Sequence, residues 1–253
     1  MIDTHCHLTD EPLYGQLESV LSRARGCGVD GYVIPGYNME SWRRARELSA
    51  RYERVWIAVG LHPLFIEEGT LSHALEEIER GGIIAIGEVG LDYMEEGVDR
   101  VLQRQVLVAQ LEAAKVAGLP VILHCRHAHD ELLDVCEGFR GLQAVLHSCS
   151  CSHEQVKGFL ELGYYVGFSG GVTRAQTQKV KKLASAVPLD RILVETDSPY
   201  IGTARHPAPS SEPGDLVEIV SALASLRGCS AEEMAAIVTE NAVRFFSLRD
   251  ARW

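Results

Sequence analysis

The sequence lacks any run of uncharged apolar residues approaching the roughly 20 that a membrane-spanning helix needs, so no helical span is expected. Its start lacks the basic segment and apolar core of a secretory signal, opening instead on Met1-Ile-Asp-Thr-His-Cys-His. An excess of positive charge is missing as well. Lys and Arg total 24 against 35 Asp and Glu, a net charge of −11, which argues against a protein that holds nucleic acid along a broad basic surface. An enzyme that grips a phosphate locally is not excluded. Linker-like Pro/Gly/Ser stretches are missing before residue 202, as are low-complexity segments and close internal repeats. The seven cysteines form no even set. Free thiols in a reducing cytosol are therefore expected rather than a disulfide framework. Together these absences point to a cytoplasmic protein with no membrane association. No unpaired amphipathic segment advertises an obligate protein partner.

What is present is an ordinary globular balance, 46% hydrophobic and 23% charged over 253 residues, enough for one sizeable core. Short β-branched or apolar runs alternate with helical patterns from end to end. The predicted strands are Met1–His7, Gly31–Gly36, Val55–Leu61, Ile83–Leu91, Pro120–Arg126, Leu142–Ser148, Tyr164–Ser169 and Ile192–Ser198. Predicted helices at 3.6-residue spacing are Glu11–Cys27, Met39–Tyr52, Ser72–Gly81, Arg100–Gly118, Asp130–Phe139, Ser152–Gly163, Arg174–Ala186, Gly214–Leu226 and Ala231–Phe246. Ser72, Ser152 and Ser230 read as N-caps, and Gly28, Gly81, Gly118 and Gly163 as left-handed helix ends. Strand–helix alternation implies a parallel sheet with crossover helices, and eight units imply an α/β fold closed as a (β/α)8 TIM barrel, a single domain over 1–253. An open doubly wound sheet is the alternative.

Six polar residues fall at C-terminal strand ends on this frame. His5 and His7 lie two apart on the first strand, so both imidazoles face one way and Cys6 the other. Glu88 lies toward the end of strand four, and His124 closes strand five, His147 strand six and Asp197 strand eight. A single histidine at a strand end is ordinarily a surface or hydrogen-bonded residue, and a single aspartate is ordinarily a helix cap. Six ligand-type residues on five strands of one barrel mouth are not explained by packing, and imidazoles with carboxylates form the donor set of a hydrolytic metal centre.

The motifs Asp-Thr-His-Cys-His, Gly-Leu-His-Pro at 60–63, Gly-Glu-Val-Gly-Leu-Asp at 87–92, Leu-Pro-Val-Ile-Leu-His at 119–124 and Glu-Thr-Asp-Ser-Pro at 195–199 resemble those of the TatD family. That family comprises metal-dependent hydrolases on an amidohydrolase-type TIM barrel, and the likeness runs from residue 2 to Asn241-Ala-Val-Arg-Phe-Phe. It implies two divalent metal ions, drawn from Mg, Mn, Zn, Ni or Co. His5, His7 and Asp197 would hold one, His124 and His147 the other, and Glu88 would bridge them in place of a carboxylated lysine. Asp197 and Glu88 are thus the catalytic candidates, with Asp197 taking the proton from water. His62 and Arg126 are candidate substrate contacts near the same mouth. Gly167-Phe-Ser-Gly-Gly171 with Arg174 is a weaker phosphate candidate, as are Arg205 and His206 in the loop after strand eight.

Two departures from the family pattern bear on substrate. The usual His-Cys-Phe-Ser-Gly after strand six is here His147-Ser-Cys-Ser-Cys-Ser, and the usual Arg-Asn-x-Pro becomes Ser211-Glu212-Pro213. Cys149 and Cys151 read as small free thiols in a loop, with a soft ligand or a redox-sensitive pair as the alternatives. The resemblance implies a deoxyribonuclease acting on DNA ends or short single strands. A hydrolase of an amide, lactone or phosphomonoester would use the same metal chemistry. A non-catalytic scaffold would be expected to lack a ligand, and none is missing.

Overall fold

Eight parallel strands pair in chain order, from β1 to β8. In the computed structural model they are β1 (Ile2–Asp3), β2 (Gly31–Gly36), β3 (Val55–Val59), β4 (Ala85–Asp92), β5 (Val121–Arg126), β6 (Ala144–Leu146), β7 (Tyr165–Phe168) and β8 (Ile192–Val194). Helices α1 (Leu17–Gly26), α2 (Met39–Arg51), α3 (Thr70–Glu79), α4 (Arg100–Ala117), α5 (His129–Glu137), α6 (His153–Glu161), α7 (Gln178–Ala186), α8 (Leu216–Arg227) and α9 (Ala231–Phe245) fill the crossovers and follow the last strand. This is the expected (β/α)8 barrel. The structure describes residues 1–94 and 96–248; Glu95 and the end of the domain expected over 1–253, residues 249–253, lie outside the described residues. No helix among the described residues is long and apolar enough to cross a membrane.

Local chemistry explains most helix boundaries. Ser152 with Gln155 and Ser230 with Glu233 form reciprocal capping boxes on α6 and α9, so free N–H groups at each start are satisfied. Gly118 takes φ 65° and ends α4. Ser72 is a correction: α3 begins at Thr70 behind Gly69, and the Ser72 hydroxyl donates to Gly69 O inside the first turn. Two helices also start later than the pattern suggested. Tyr14–Gln16 is a 3-10 turn before α1, and Arg174 belongs to the connection before α7.

One inward residue from each strand (Ile2, Val33, Ala58, Ala85, Ile122, Val145, Tyr165 and Leu193) packs with Phe245 and Phe246 from the end of α9. The Tyr165 and Phe245 rings lie 5.0 Å apart. This plug fills the barrel interior toward the strand starts, and polar side chains occupy the other end. The second, larger core lies between the strands and the helical ring.

The sheet has one irregularity, and it sits at the mouth. On β4 the register slips between Ile86, opposite Val121, and Val89, opposite Leu123. Gly87 and Glu88 therefore share one partner position, a bulge that turns the Glu88 side chain inward. Close backbone approach enforces glycine here: a Cβ on Gly87 would lie 2.6 Å from Ile122 Cβ, and one on Gly90 only 1.9 Å from His124 O. Gly90→Ala is expected to destabilise the fold by at least about 1–3 kcal/mol, the usual range for overpacking. Gly26→Ala, whose Cβ meets nothing within 4 Å, should be neutral or stabilising by up to about 1 kcal/mol. Urea unfolding of the two variants checks the contrast.

Candidate metal centre

The tails of β1 and β8 close the barrel and set the first ligands. Both strands are shorter than expected, ending at Asp3 and Val194, so His5, His7 and Asp197 lie beyond the ladder rather than on it. Backbone bonds carry the pairing onward. Thr4 N donates to Val194 O at 3.1 Å, Asp197 N to His5 O at 2.9 Å and His7 N to Ser198 O at 2.9 Å. The buried Asp3 carboxylate clamps the same seam, accepting from Thr196 N at 3.0 Å and Thr196 Oγ1 at 2.6 Å. Burial pushes its carboxyl up to about 7. Alternation survives along this tail: Cys6 joins the core, while His5 and His7 meet with Nε2 atoms 3.2 Å apart.

All six residues singled out as ligands come together. His5 Nε2 lies 3.3 Å from Glu88 Oε2 and 3.8 Å from Asp197 Oδ1. His7 Nε2 lies 3.8 Å and 3.3 Å from the same two atoms. The other oxygen of Glu88 faces a different pair: Oε1 is 2.7 Å from His124 Nδ1 and 2.8 Å from His147 Nε2. Ligands about 2.1 Å from a tetrahedral cation sit about 3.4 Å from one another, close to the spacing around Oε2. His5, His7 and His147 each turn Nε2 toward a Glu88 oxygen, and bury Nδ1 atoms with no hydrogen-bond partner. The donor set therefore fits divalent cations.

Charge balance explains how the carboxylates tolerate burial. Desolvation would raise Glu88, but the charged His147 and the hydrogen bond with His124 outweigh it and hold the carboxyl well below its usual range. Burial likewise opposes ionisation of Asp197, and its bond to His7 reverses the balance and lowers it. His5 is driven down to about 4 by burial and by His147, whose ring stacks on it at 4.2 Å. Burial works against a charge on His147 too, yet Glu88 lifts it to about 10.

Sequence reasoning missed the residues that orient this set. Asp92, in the quoted Gly-Glu-Val-Gly-Leu-Asp motif, accepts from His124 Nε2 at 2.9 Å. That bond fixes the ring with Nδ1 turned toward Glu88 Oε1, and the two carboxylates raise the His124 pKa against burial. The motif was the available signal. Glu195 lies behind His147, 3.7 Å from its Nδ1; it accepts from Ser148 N, and burial pushes its carboxyl up to about 8.

Above the cluster opens a cavity of about 620 Å³. His62 reaches it from the turn after β3. Its Nδ1 accepts from Leu64 N at 3.2 Å, so the neutral ring carries its proton on Nε2, 3.6 Å from Glu88 Oε1. Burial lowers its pKa to about 3, which makes His62 a neutral donor. Arg126 is half exposed at the rim, 3.9 Å from Asp92. The same cavity is lined by Tyr37, Phe65 and Tyr200, an aromatic group the sequence did not single out. Asp10 accepts from both tyrosine hydroxyls, at 2.8 and 2.7 Å. Phe65 is 42% and Tyr200 57% exposed.

The remaining candidates divide. Arg174 and Gly171 line the cavity, but Gly170 is explained by the Gly202 carbonyl, which a Cβ would meet at 2.4 Å. Arg205 and His206 do not line it, and His206 pairs with Asp215. Glu212, in the altered Ser211-Glu212-Pro213 segment, forms a two-pronged bond to Arg23 of α1 and is structural.

Comparison with known proteins agrees with this fold. The family described as TatD related DNase matches residues 2–247. The uncharacterized metal-dependent hydrolase YabD of Bacillus subtilis strain 168 is 31% identical, covering 98% of this chain and 99% of its own. The 3'-5' ssDNA/RNA exonuclease TatD of Pantoea vagans is 33% identical over 98% of this chain and 100% of its own. The crystal structure of the TatD homolog YJJV from Escherichia coli K12 superposes with a TM-score of 0.92 at 31% identity, over 98% of each chain. For the centre itself, Asp92→Asn is expected to weaken divalent-cation binding roughly 10- to 100-fold, the usual cost of losing a carboxylate behind a ligating histidine. Isothermal titration calorimetry with Mn or Zn, alongside circular dichroism to confirm folding, reads the change.

Proposed function

This chain belongs to the TatD related DNase family, and from that premise we propose that it is a two-metal hydrolase of phosphodiester bonds at the ends of single-stranded nucleic acid. The observation that carries the reading is the division of Glu88. Its two oxygens engage separate histidine pairs at the floor of a cavity lined by the aromatic Tyr37, Phe65 and Tyr200 and the cationic Arg126 and Arg174. His5, His7, Asp197 and Glu88 would hold one cation, and His124, His147 and Glu88 the other. When bound, the cations supply Lewis-acid chemistry, acidifying water and offsetting charge on phosphoryl oxygens.

The chain's own residues do the rest. Asp197, ionised and 6% exposed at the mouth, accepts a proton from the attacking water and returns it toward the leaving oxygen. His62 donates its Nε2–H to a phosphoryl oxygen. Arg126 pairs with a phosphate at the rim. Phe65, Tyr37 and Tyr200 offer ring faces and edges against which an unpaired base can lie, a contact that tolerates any sequence. The acidic protein surface favours a strand end that enters the cavity over a duplex laid across it.

The metal cluster alone would serve an amide, lactone or phosphomonoester equally well. It is the aromatic rim that favours a nucleic acid. Protein stripped with chelator should lose activity on end-labelled single-stranded DNA and regain it when reloaded with Mg, Mn, Co, Ni or Zn. Turnover of lactones or amides alone would contradict the proposal. Asp197→Asn should lower kcat about 100- to 10,000-fold, the scale of general acid–base catalysis, with the fold intact by circular dichroism. Tyr200→Ala should raise KM for single-stranded DNA roughly 10-fold with little change in kcat, in keeping with about 1–3 kcal/mol per stacked base. Steady-state kinetics on oligonucleotides distinguish the two effects.

A further inference from the structure

The loop that follows His147 carries a feature the hydrolytic reading does not use. Cys149 and Cys151 are both buried, at 5% and 1% exposure, and both are free thiols. Their Sγ atoms lie 3.2 Å apart. The backbone holds them in place on each side: Cys149 N donates to Gly167 O at 3.0 Å, and Ser152 directly after Cys151 caps α6. Cys149 also lines the cavity above the metal centre.

We infer that Cys149 and Cys151 form an oxidisable dithiol that a hydroperoxide entering the cavity converts reversibly to a disulfide. The sulfurs need to approach by only about 1 Å to reach bonding distance near 2.05 Å, a movement within reach of side-chain rotation. The electron balance is simple. One sulfur of the pair attacks a peroxide oxygen, the O–O bond breaks, the thiol proton passes to the leaving oxygen, and a sulfenic acid and water form. The other sulfur then attacks the oxidised sulfur and expels the second water. Two thiols and one hydrogen peroxide become one disulfide and two waters, with sulfur oxidised and peroxide oxygen reduced. A dithiol reductant reverses the bond by exchange.

A soft-metal site is the other chemistry two thiols suggest. Among the described residues, no group of three or more potential ligands includes either cysteine, whereas structural metal sites ordinarily take four. The pair therefore fits a disulfide better than an ion. Cys149 is also part of the cavity wall, two residues beyond His147. The wall thus presents thiols in one state and a disulfide in the other.

Labelling the whole protein tests this without reference to its hydrolytic activity. After brief hydrogen peroxide treatment, alkylation of the unfolded chain should show two of the seven thiols unlabelled, and dithiothreitol should restore both. Both cysteines fall in the tryptic peptide 141–157, which should lack the mass of two hydrogens. In Cys149→Ser or Cys151→Ser, a sulfenic-acid trap should mark the remaining cysteine of the pair. Full labelling after peroxide, a cross-link from Cys125 in peptide 116–126, or no trapped sulfenic acid in either variant would each overturn the inference.

Discussion

An ionised carboxylate taken out of water costs several kcal/mol unless opposite charge and hydrogen-bond donors meet it, and Glu88 is only 3% exposed. Every notable feature of the barrel mouth answers that constraint. Imidazoles approach both oxygens, and each imidazole is in turn held by something else. Asp92 fixes His124, His5 stacks on His147, and the seam between the tails of β1 and β8 positions His5, His7 and Asp197 together. Removing a single member would leave the others as uncompensated buried groups, which is why the cluster behaves as a unit.

The barrel reaches this arrangement through two deviations from regularity. The bulge at Gly87–Glu88 turns a carboxylate inward from a strand that would otherwise alternate past it. The early ends of β1 and β8 free their tails to bend across the mouth while keeping backbone bonds to each other. At the far end, Phe245 and Phe246 fill the interior. The polar cluster therefore has a dry floor beneath it and the cavity above it.

Much of this was legible in the sequence, for physical reasons that name particular residues. Strand–helix alternation is a period signal, and it placed eight strands correctly. Spacing of two put His5 and His7 on one side, and the common mouth gathered Glu88, His124, His147 and Asp197, although Glu88 lies midway along β4 and His147 and Asp197 lie beyond β6 and β8. Strand ends were overestimated at β1, β6 and β8, because polar tails that continue the backbone pairing read like strand. Ser72 misled because a serine two residues inside a helix looks the same in sequence as a cap, and only the backbone distinguishes them. Tyr37, Phe65 and Tyr200 were illegible because they come from three separate turns, which only the closed barrel brings to one rim. The register slip that aims Glu88 left a trace only as Gly87 and Gly90, whose need for close approach to Ile122 and His124 appears in three dimensions.

In the proposed two-metal centre, Glu88 would stand between two cations, with its oxygens shared out among the histidines. A crystal of the protein grown with Mn and measured for anomalous scattering tests this most directly. The account predicts two peaks, one beside His5, His7 and Asp197 and one beside His124 and His147, with the Glu88 carboxylate between them. A single peak, or peaks away from Glu88, would contradict it.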